Sequence, residues 1–217
     1  MADFTLVIGN KNYSSWSLRG WLMMKATGAA FEEILVRLSL PTTRAEILKH
    51  GPSARVPILK HGTLTVWETL AIGEYLAELF PKARLWPEDP AARAVARAVS
   101  AEMHAGFAAL RKHFPMNVRS SFPNRGSTPE VQADIDRITA LWHDCRSRFA
   151  KDGPFLFGGF TVADAMYAPV VTRFRTYKAQ IPQEAQAYCD TIWALPALQE
   201  WAADSRKEPW ILEDSEF

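Results

Sequence analysis

Apolar and polar positions follow two different rhythms along this chain. Phe4-Thr5-Leu6-Val7-Ile8 is a short apolar run closed by Gly9-Asn10, which predicts a buried strand. From Trp16 to Thr27 the apolar positions Leu18, Trp21, Leu22 and Met24 fall at helical spacing, and Gly28 then supplies a C-terminal cap. Phe31 to Leu38 predicts a second strand, and Thr42 to His50 a short helix closed by Gly51-Pro52. Val56-Pro57-Ile58-Leu59 and Leu64-Thr65-Val66-Trp67 predict two short strands joined by a tight turn at His61-Gly62. Glu68 to Leu79 is helical again, through Leu70, Ile72, Tyr75, Leu76 and Leu79. The order β-α-β-α-β-β-α predicts an α/β sheet with helices on both faces.

The rhythm changes at Phe80. Pro81, Pro87 and Pro90 interrupt any helix and mark residues 81–90 as a linker. Beyond it no strand pattern recurs. Ala91 to Phe114 reads as one Ala-rich helix ended by Pro115, and Glu130 to Lys151 as a long helix stopped by Asp152-Gly153-Pro154. Thr161 to Tyr177, Gln183 to Trp193 and Ala197 to Lys207 complete an all-helical half. The predicted fold class is an α/β first domain over residues 1–80 followed by an all-α helical bundle over residues 91–217.

Composition narrows the function classes. The 217 residues suit one or two domains. With 48% hydrophobic and 23% charged residues the chain has enough apolar surface for packed cores, which excludes a disordered chain. The net charge of +1 provides no field for a polyanion, so no nucleic-acid partner is expected. No window reaches the roughly 18 unbroken apolar residues of a membrane span, and the run from Phe4 to Ile8 is too short for a secretory segment. Cys145 and Cys189 stand apart from any Cys-x-x-Cys pattern and read as buried thiols in a reducing cytoplasm. The five histidines lack ligand spacing, so no metal is expected.

Three stretches carry candidate chemistry. In the first, Asn10-Lys11-Asn12-Tyr13-Ser14-Ser15-Trp16-Ser17-Leu18-Arg19, hydroxyls gather at a predicted helix N-terminus, where free N–H groups and the helix dipole favour an anion. The same serines also suit plain N-caps. In the second, Gly51-Pro52-Ser53-Ala54-Arg55-Val56-Pro57, a proline opens a strand, which suits an edge or special turn. A cis Val56–Pro57 bond would leave the Val56 backbone free to pair with an extended, peptide-like ligand. The third is Trp67-Glu68-Thr69-Leu70, where Thr69 offers a hydroxyl and an N–H to a carboxylate and Glu68 a carboxylate to an ammonium. On its own this pair reads as a plain helix start.

Taken in order, these stretches make the chain similar to the glutathione S-transferase superfamily over nearly its whole length. Ser-Ser-Trp-Ser-Leu-Arg resembles the Ser-Ser-x-Ser-x-Arg signature of the serine-type, zeta- and theta-like classes. Pro-Ser-Ala-Arg-Val-Pro resembles the family's Asn-Pro-x-x-x-Val-Pro segment, and Glu68-Thr69 stands where the family has Glu-Ser. Thr161-Val162-Ala163-Asp164 is similar to the capping box of the second domain's core helix. The implied fold is a thioredoxin-like N-terminal domain and a helical C-terminal domain.

The resemblance implies a role for each position. The γ-glutamyl carboxylate of glutathione would sit on Thr69 and its ammonium on Glu68. The cysteine backbone would pair with Val56, exposed by a cis Pro57. Arg55, with Arg44 second, would meet the glycine carboxylate. The thiol would reach the serine cluster, where Ser14, then Ser15, would donate to the thiolate and lower its pKa; Tyr13 is a rival hydroxyl and Ser17 belongs to the first helical turn. Arg19 would be a structural residue. The absence of a loop cysteine disfavours mixed-disulfide chemistry. The electrophile pocket would take Trp16 from the loop and Met103, His104, Phe107 and Arg111 from the first C-terminal helix. Read from the residues alone, Met103 and Phe107 suit the core between domains, and Arg111 a solvated surface.

The implied function is a cytoplasmic glutathione transferase acting on small hydrophobic electrophiles in detoxification, working as a homodimer with glutathione as co-substrate. Two alternatives stand beside it. One is a glutathione-dependent cis–trans isomerase of maleylacetoacetate or maleylpyruvate type. Its arginine in the core helix aligns on Thr176, with Arg173 and Arg175 nearby. The other is a non-catalytic binding protein of the same fold.

Overall fold

Strand β1 (Phe4–Ile8) shows why the first domain closes on both faces. Its side chains alternate between two hydrophobic clusters: Phe4, Leu6 and Ile8 enter the main core, and Val7 points to the opposite face. The computed structural model describes residues 3–151 and 153–216. β1 pairs in parallel with β2 (Phe31–Leu35) and antiparallel with β3 (Ile58–His61), which pairs antiparallel with β4 (Leu64–Trp67). The sheet order is β2-β1-β3-β4. Helix α2 (Thr43–Leu48) covers one face through Ile47, against Val7, Val36 and Ile58. Helices α1 (Ser15–Thr27) and α3 (Thr69–Leu79) cover the other.

The helical half comprises α4 (Pro90–Ala105), α5 (Ala108–His113), α6 (Pro129–Phe149), α7 (Val162–Tyr177), α8 (Gln183–Trp193) and α9 (Pro196–Lys207). α7 is buried almost throughout and packs on α1, so one apolar core runs through both halves. The linker is part of it: Leu85 and Trp86 are buried, and Leu85 O accepts from Val162 N–H at 2.8 Å. Among the described residues no helix is long and apolar enough to cross a membrane.

Three of the differences from the expected elements bear on the site. β2 stops at Leu35, because Leu38 N–H turns away to Asn10 Oδ1 at 2.8 Å. β3 begins at Ile58, after the Val56–Pro57 pair. The helix expected over 91–114 breaks at Gly106-Phe107, where Phe107 adopts φ 60°. Arg111 reaches back over the break and donates to the carbonyl oxygens of Met103, His104 and Gly106, which have lost their helical partners.

Candidate functional site

A cleft of about 970 Å³ opens where the N-termini of α1 and α3 meet the loop before β3 and the end of α4. Tyr13, Ser14, Ser15 and Trp16 line one side, Arg55, Val56 and Pro57 a second, and Glu68, Thr69 and His104 a third. The lining also includes Leu38, Ile47 and Trp67.

Each wall has a local cause. Ser14 is the N-cap of α1 in extended conformation, with Oγ accepting from Ser17 N–H at 3.4 Å and lying 2.7 Å from Ser17 Oγ. Ser15 starts the helix, and its hydroxyl makes no hydrogen bond among the described residues. The Val56–Pro57 peptide is cis, and no backbone hydrogen bond engages Val56 N–H or C=O among the described residues. That leaves the Val56 backbone free beside the cleft, available to pair with a peptide-like ligand. Glu68 holds φ 78°, a left-handed conformation that costs a glutamate about 1–3 kcal/mol. The posture places its carboxylate between two partners: Oε2 accepts from Leu70 N–H at 3.0 Å, and Oε1 lies 2.7 Å from His104 Nε2. Thr69 is buried at the first position of α3, beside that helix's free N–H groups.

Other candidates are engaged by other partners or lie outside the lining. The Tyr13 hydroxyl donates to Glu216 Oε1 at 2.7 Å and accepts from Arg119 Nη2 at 2.9 Å. Burial and the Glu216 carboxylate hold its pKa above the usual phenol range. Met103 and Phe107 lie in the core and not in the cleft. Arg111 is occupied at the helix break, its pKa lowered by burial, and its guanidinium stacks 5.1 Å from the Trp16 ring. Arg19 is fully buried, its guanidinium 4.5 Å from the Trp16 ring, and donates to Met166 O and Ser15 O. It thereby joins α1 to α7. Arg44 is exposed on α2, outside the lining. Cys145 and Cys189 are buried, and burial pushes both thiols up to about 12.

Sequence reasoning missed the contacts that come from afar. Glu208 Oε1 accepts from Lys11 N–H at 2.6 Å and Oε2 from Asn12 N–H at 3.1 Å, which fixes the loop leading to Ser14. The His104–Glu68 contact was missed as well, since nothing in the spacing of two residues 36 positions apart marks a pair. No group of metal-ligating side chains occurs among the described residues.

A mixed four-stranded sheet with a cis-proline edge, a hydroxyl-rich helix N-terminus and an appended helical half define a glutathione transferase architecture. The chain matches the family models for the glutathione S-transferase N-terminal domain over residues 13–79 and C-terminal domain over residues 92–204. It belongs to the glutathione S-transferase family. A probable maleylacetoacetate isomerase of Caenorhabditis elegans is 34% identical over 96 residues, a match spanning 44% of this chain and 44% of that protein. Among solved structures, a glutathione transferase homolog from Burkholderia gl BGR1 with bound glutathione superposes with a TM-score of 0.71. It is 24% identical, over 94% of this chain and 98% of that one. The theta class enzyme of Xanthomonas axonopodis pv. citri with glutathione bound has a TM-score of 0.65 at 23% identity, over 93% of this chain and 98% of that one. At these identities the structural likeness shows the fold.

Proposed function

We propose that the protein binds glutathione in this cleft and transfers its thiolate to small hydrophobic electrophiles. The observation that carries the reading is the meeting of two helix N-termini and the free Val56 edge on one cleft. The γ-glutamyl carboxylate sits at Thr69 and the N-terminus of α3, where N–H groups and dipole favour an anion. The ammonium meets Glu68, the cysteine backbone pairs with Val56, and exposed Arg55 faces the glycine carboxylate. That extended pose directs the sulfur to Ser14.

A free thiol titrates near ~8.5, so little thiolate exists at neutral pH. A Ser14 hydroxyl donating to the sulfur, with the dipole of α1 behind it, stabilises the anion. Two pKa units correspond to about 2.7 kcal/mol. The thiol proton leaves to solvent. The sulfur then attacks the electrophilic carbon: a C–S bond forms, and the electron pair leaves with the departing group or is taken up by a proton. Trp16, Trp67 and Leu38 supply an apolar wall for that partner. The reading carries the family's cytoplasmic setting and its pairing of two copies, for which exposed Leu64 and Leu79 offer apolar surface.

The isomerase reading is second, favoured by the partial match to the Caenorhabditis elegans protein. It needs free cations for a diacid. Arg173 instead donates to Phe114 O and Pro169 O, and Thr176 to Asn117 O, all buried. Calorimetry with millimolar glutathione tests the main reading. One site is expected, with Glu68→Ala weakening it by about 1.5–3 kcal/mol through loss of a charged partner. Ser14→Ala is expected to lose one to two decades of kcat/KM at nearly unchanged affinity. No heat and no thermal shift would remove the reading. Glutathione binding without turnover of any electrophile would leave a binding protein, and turnover of a cis diacid alone would promote the isomerase.

A further inference from the structure

Ser17 is fully buried in the first turn of α1, behind the serine that lines the cleft. Two polar neighbours reach its Oγ: Gly9 N–H, which donates to it at 2.9 Å, and Ser14 Oγ at 2.7 Å. The Gly9 N–H can only donate. Among the described residues the Ser17 proton therefore has one acceptor, the Ser14 oxygen. If the bond runs from Ser14 to Ser17, the Ser17 proton is buried without a partner, the unfavourable arrangement. If it runs from Ser17 to Ser14, both hydroxyls are satisfied once an acceptor stands in the cleft. Ser14 Oγ then receives two donors, the Ser17 hydroxyl and the Ser17 N–H, and its own proton has only the cleft to face.

We propose that Ser17 is a positioning residue, the middle of a donor chain from Gly9 N–H through the Ser17 and Ser14 hydroxyls that fixes the Ser14 proton on a bound thiolate. The inference rests on the reading of Ser14 as the thiolate's hydroxyl. The chain begins on backbone that cannot rotate away. Gly9 follows β1, and a side chain there would meet Leu38 at 2.7 Å, so the segment lies tightly under its neighbour. Successive hydrogen bonds polarise one another in a low-dielectric interior, so Ser14 donates more strongly and in one direction. No O–H bond of either serine breaks; the thiol alone loses its proton, to solvent. The dipole of α1 acts on the same sulfur but does not orient a proton, and the two contributions are separable.

The experiment is an ultraviolet titration of glutathione thiolate on the parent, Ser17→Ala, Ser14→Ala and the double variant, with glutathione affinity measured on each. Ser17→Ala keeps the Ser14 hydroxyl but removes its donor. The expected result is a bound thiol pKa about one unit higher, a kcat/KM about threefold lower at neutral pH and affinity within about twofold. In the Ser14→Ala background the same substitution produces no further shift. Ser17→Cys, close in size with a weaker donor, falls between parent and Ser17→Ala, and serves also if Ser17→Ala does not fold. A Ser17 shift of equal size in both backgrounds overturns the relay, because Ser17 would then act through the fold. If Ser14→Ala shifts the titration and the Ser17 variants do not, the relay fails and Ser14 keeps its role. If Ser14→Ala leaves the titration unmoved, the serine reading itself fails and the relay with it.

Discussion

Asp164 is the residue on which the helical half turns. Its carboxylate is fully buried and accepts four hydrogen bonds, from the N–H groups of Leu156 at 3.1 Å and Thr161 at 2.8 Å, and from the hydroxyls of Thr161 at 2.9 Å and Tyr188 at 3.0 Å. Burial is the largest influence and raises its pKa to about 6, against the four bonds that pull it down. The folded value lies above the unfolded value of 3.8, so the folded chain holds this proton more tightly. The group therefore favours folding most at acid pH. That contribution declines as pH rises from about 4 through about 6, by about 3 kcal/mol in all. Asp164→Asn removes the titration. The stability difference between parent and variant, from urea midpoints, is expected to shrink by about 2 kcal/mol between pH 4.5 and 7.5, the part of the total that falls in that window; a difference that grows with pH contradicts the assignment. Half of this arrangement was legible: Thr161 and Asp164 stand three apart, the spacing of a capping box. The bonds from Leu156 and Tyr188 were not, because they depend on how α7 meets α8 and the segment before it.

At the scale of elements, periodicity was a good guide to where helices run and a poor one to where they break. Gln183–Trp193 was legible to the residue. The break at Gly106 was not, since Met103, Phe107 and Arg111 keep helical spacing across it and the arginine that caps the loose carbonyls looks like a surface cation. The contact between α1 and the strand-opening proline was equally hidden. Gly20 lies inside α1, and a Cβ there would meet Pro57 Cγ at 2.9 Å and Pro57 Cβ at 3.2 Å. Helix propensity alone favours alanine over glycine by about 1 kcal/mol. Overpacking against a pyrrolidine ring, which cannot swing aside like a chain end, costs about 1–3 kcal/mol and wins. Gly20→Ala is thus expected to lower the melting temperature. It also displaces Val56 and weakens glutathione binding several-fold by calorimetry. A more stable variant with unchanged affinity would show that the ring yields.

Over the whole molecule, the end of the chain returns to its beginning. Residues 208–216 lie against the serine loop almost two hundred positions away. Besides the Glu208 bonds to Lys11 and Asn12, Arg119 donates to Glu208 O, Trp210 O and the Tyr13 hydroxyl, and Arg37 stacks 4.9 Å from the Trp210 ring. Lys11 pairs with Glu33 at 2.9 Å and Asp204 at 2.8 Å and lies within 5.4 Å of the Trp21 and Trp201 rings, which ties sheet to helical half. None of this was legible, because Glu208-Pro209-Trp210 bears no local pattern and its meaning exists only in the folded chain. The consequence is that loop geometry at Ser14 depends on a distant carboxylate. In Glu208→Gln the amide can accept only one of the two N–H groups and turns a donor toward the other. A hydrogen bond to a charged acceptor contributes about 1.5–3 kcal/mol, and most of one is lost. The core is untouched, so the loss stays local. Amide hydrogen exchange at Lys11 and Asn12 is expected to accelerate at least tenfold while the exchange of β1 and α7 is unchanged. In the same variant kcat/KM falls more than glutathione affinity, because Ser14 is moved and Glu68 and Val56 are not. Unchanged exchange at Lys11 and Asn12 would mean that the remaining contacts of the tail hold the loop without Glu208.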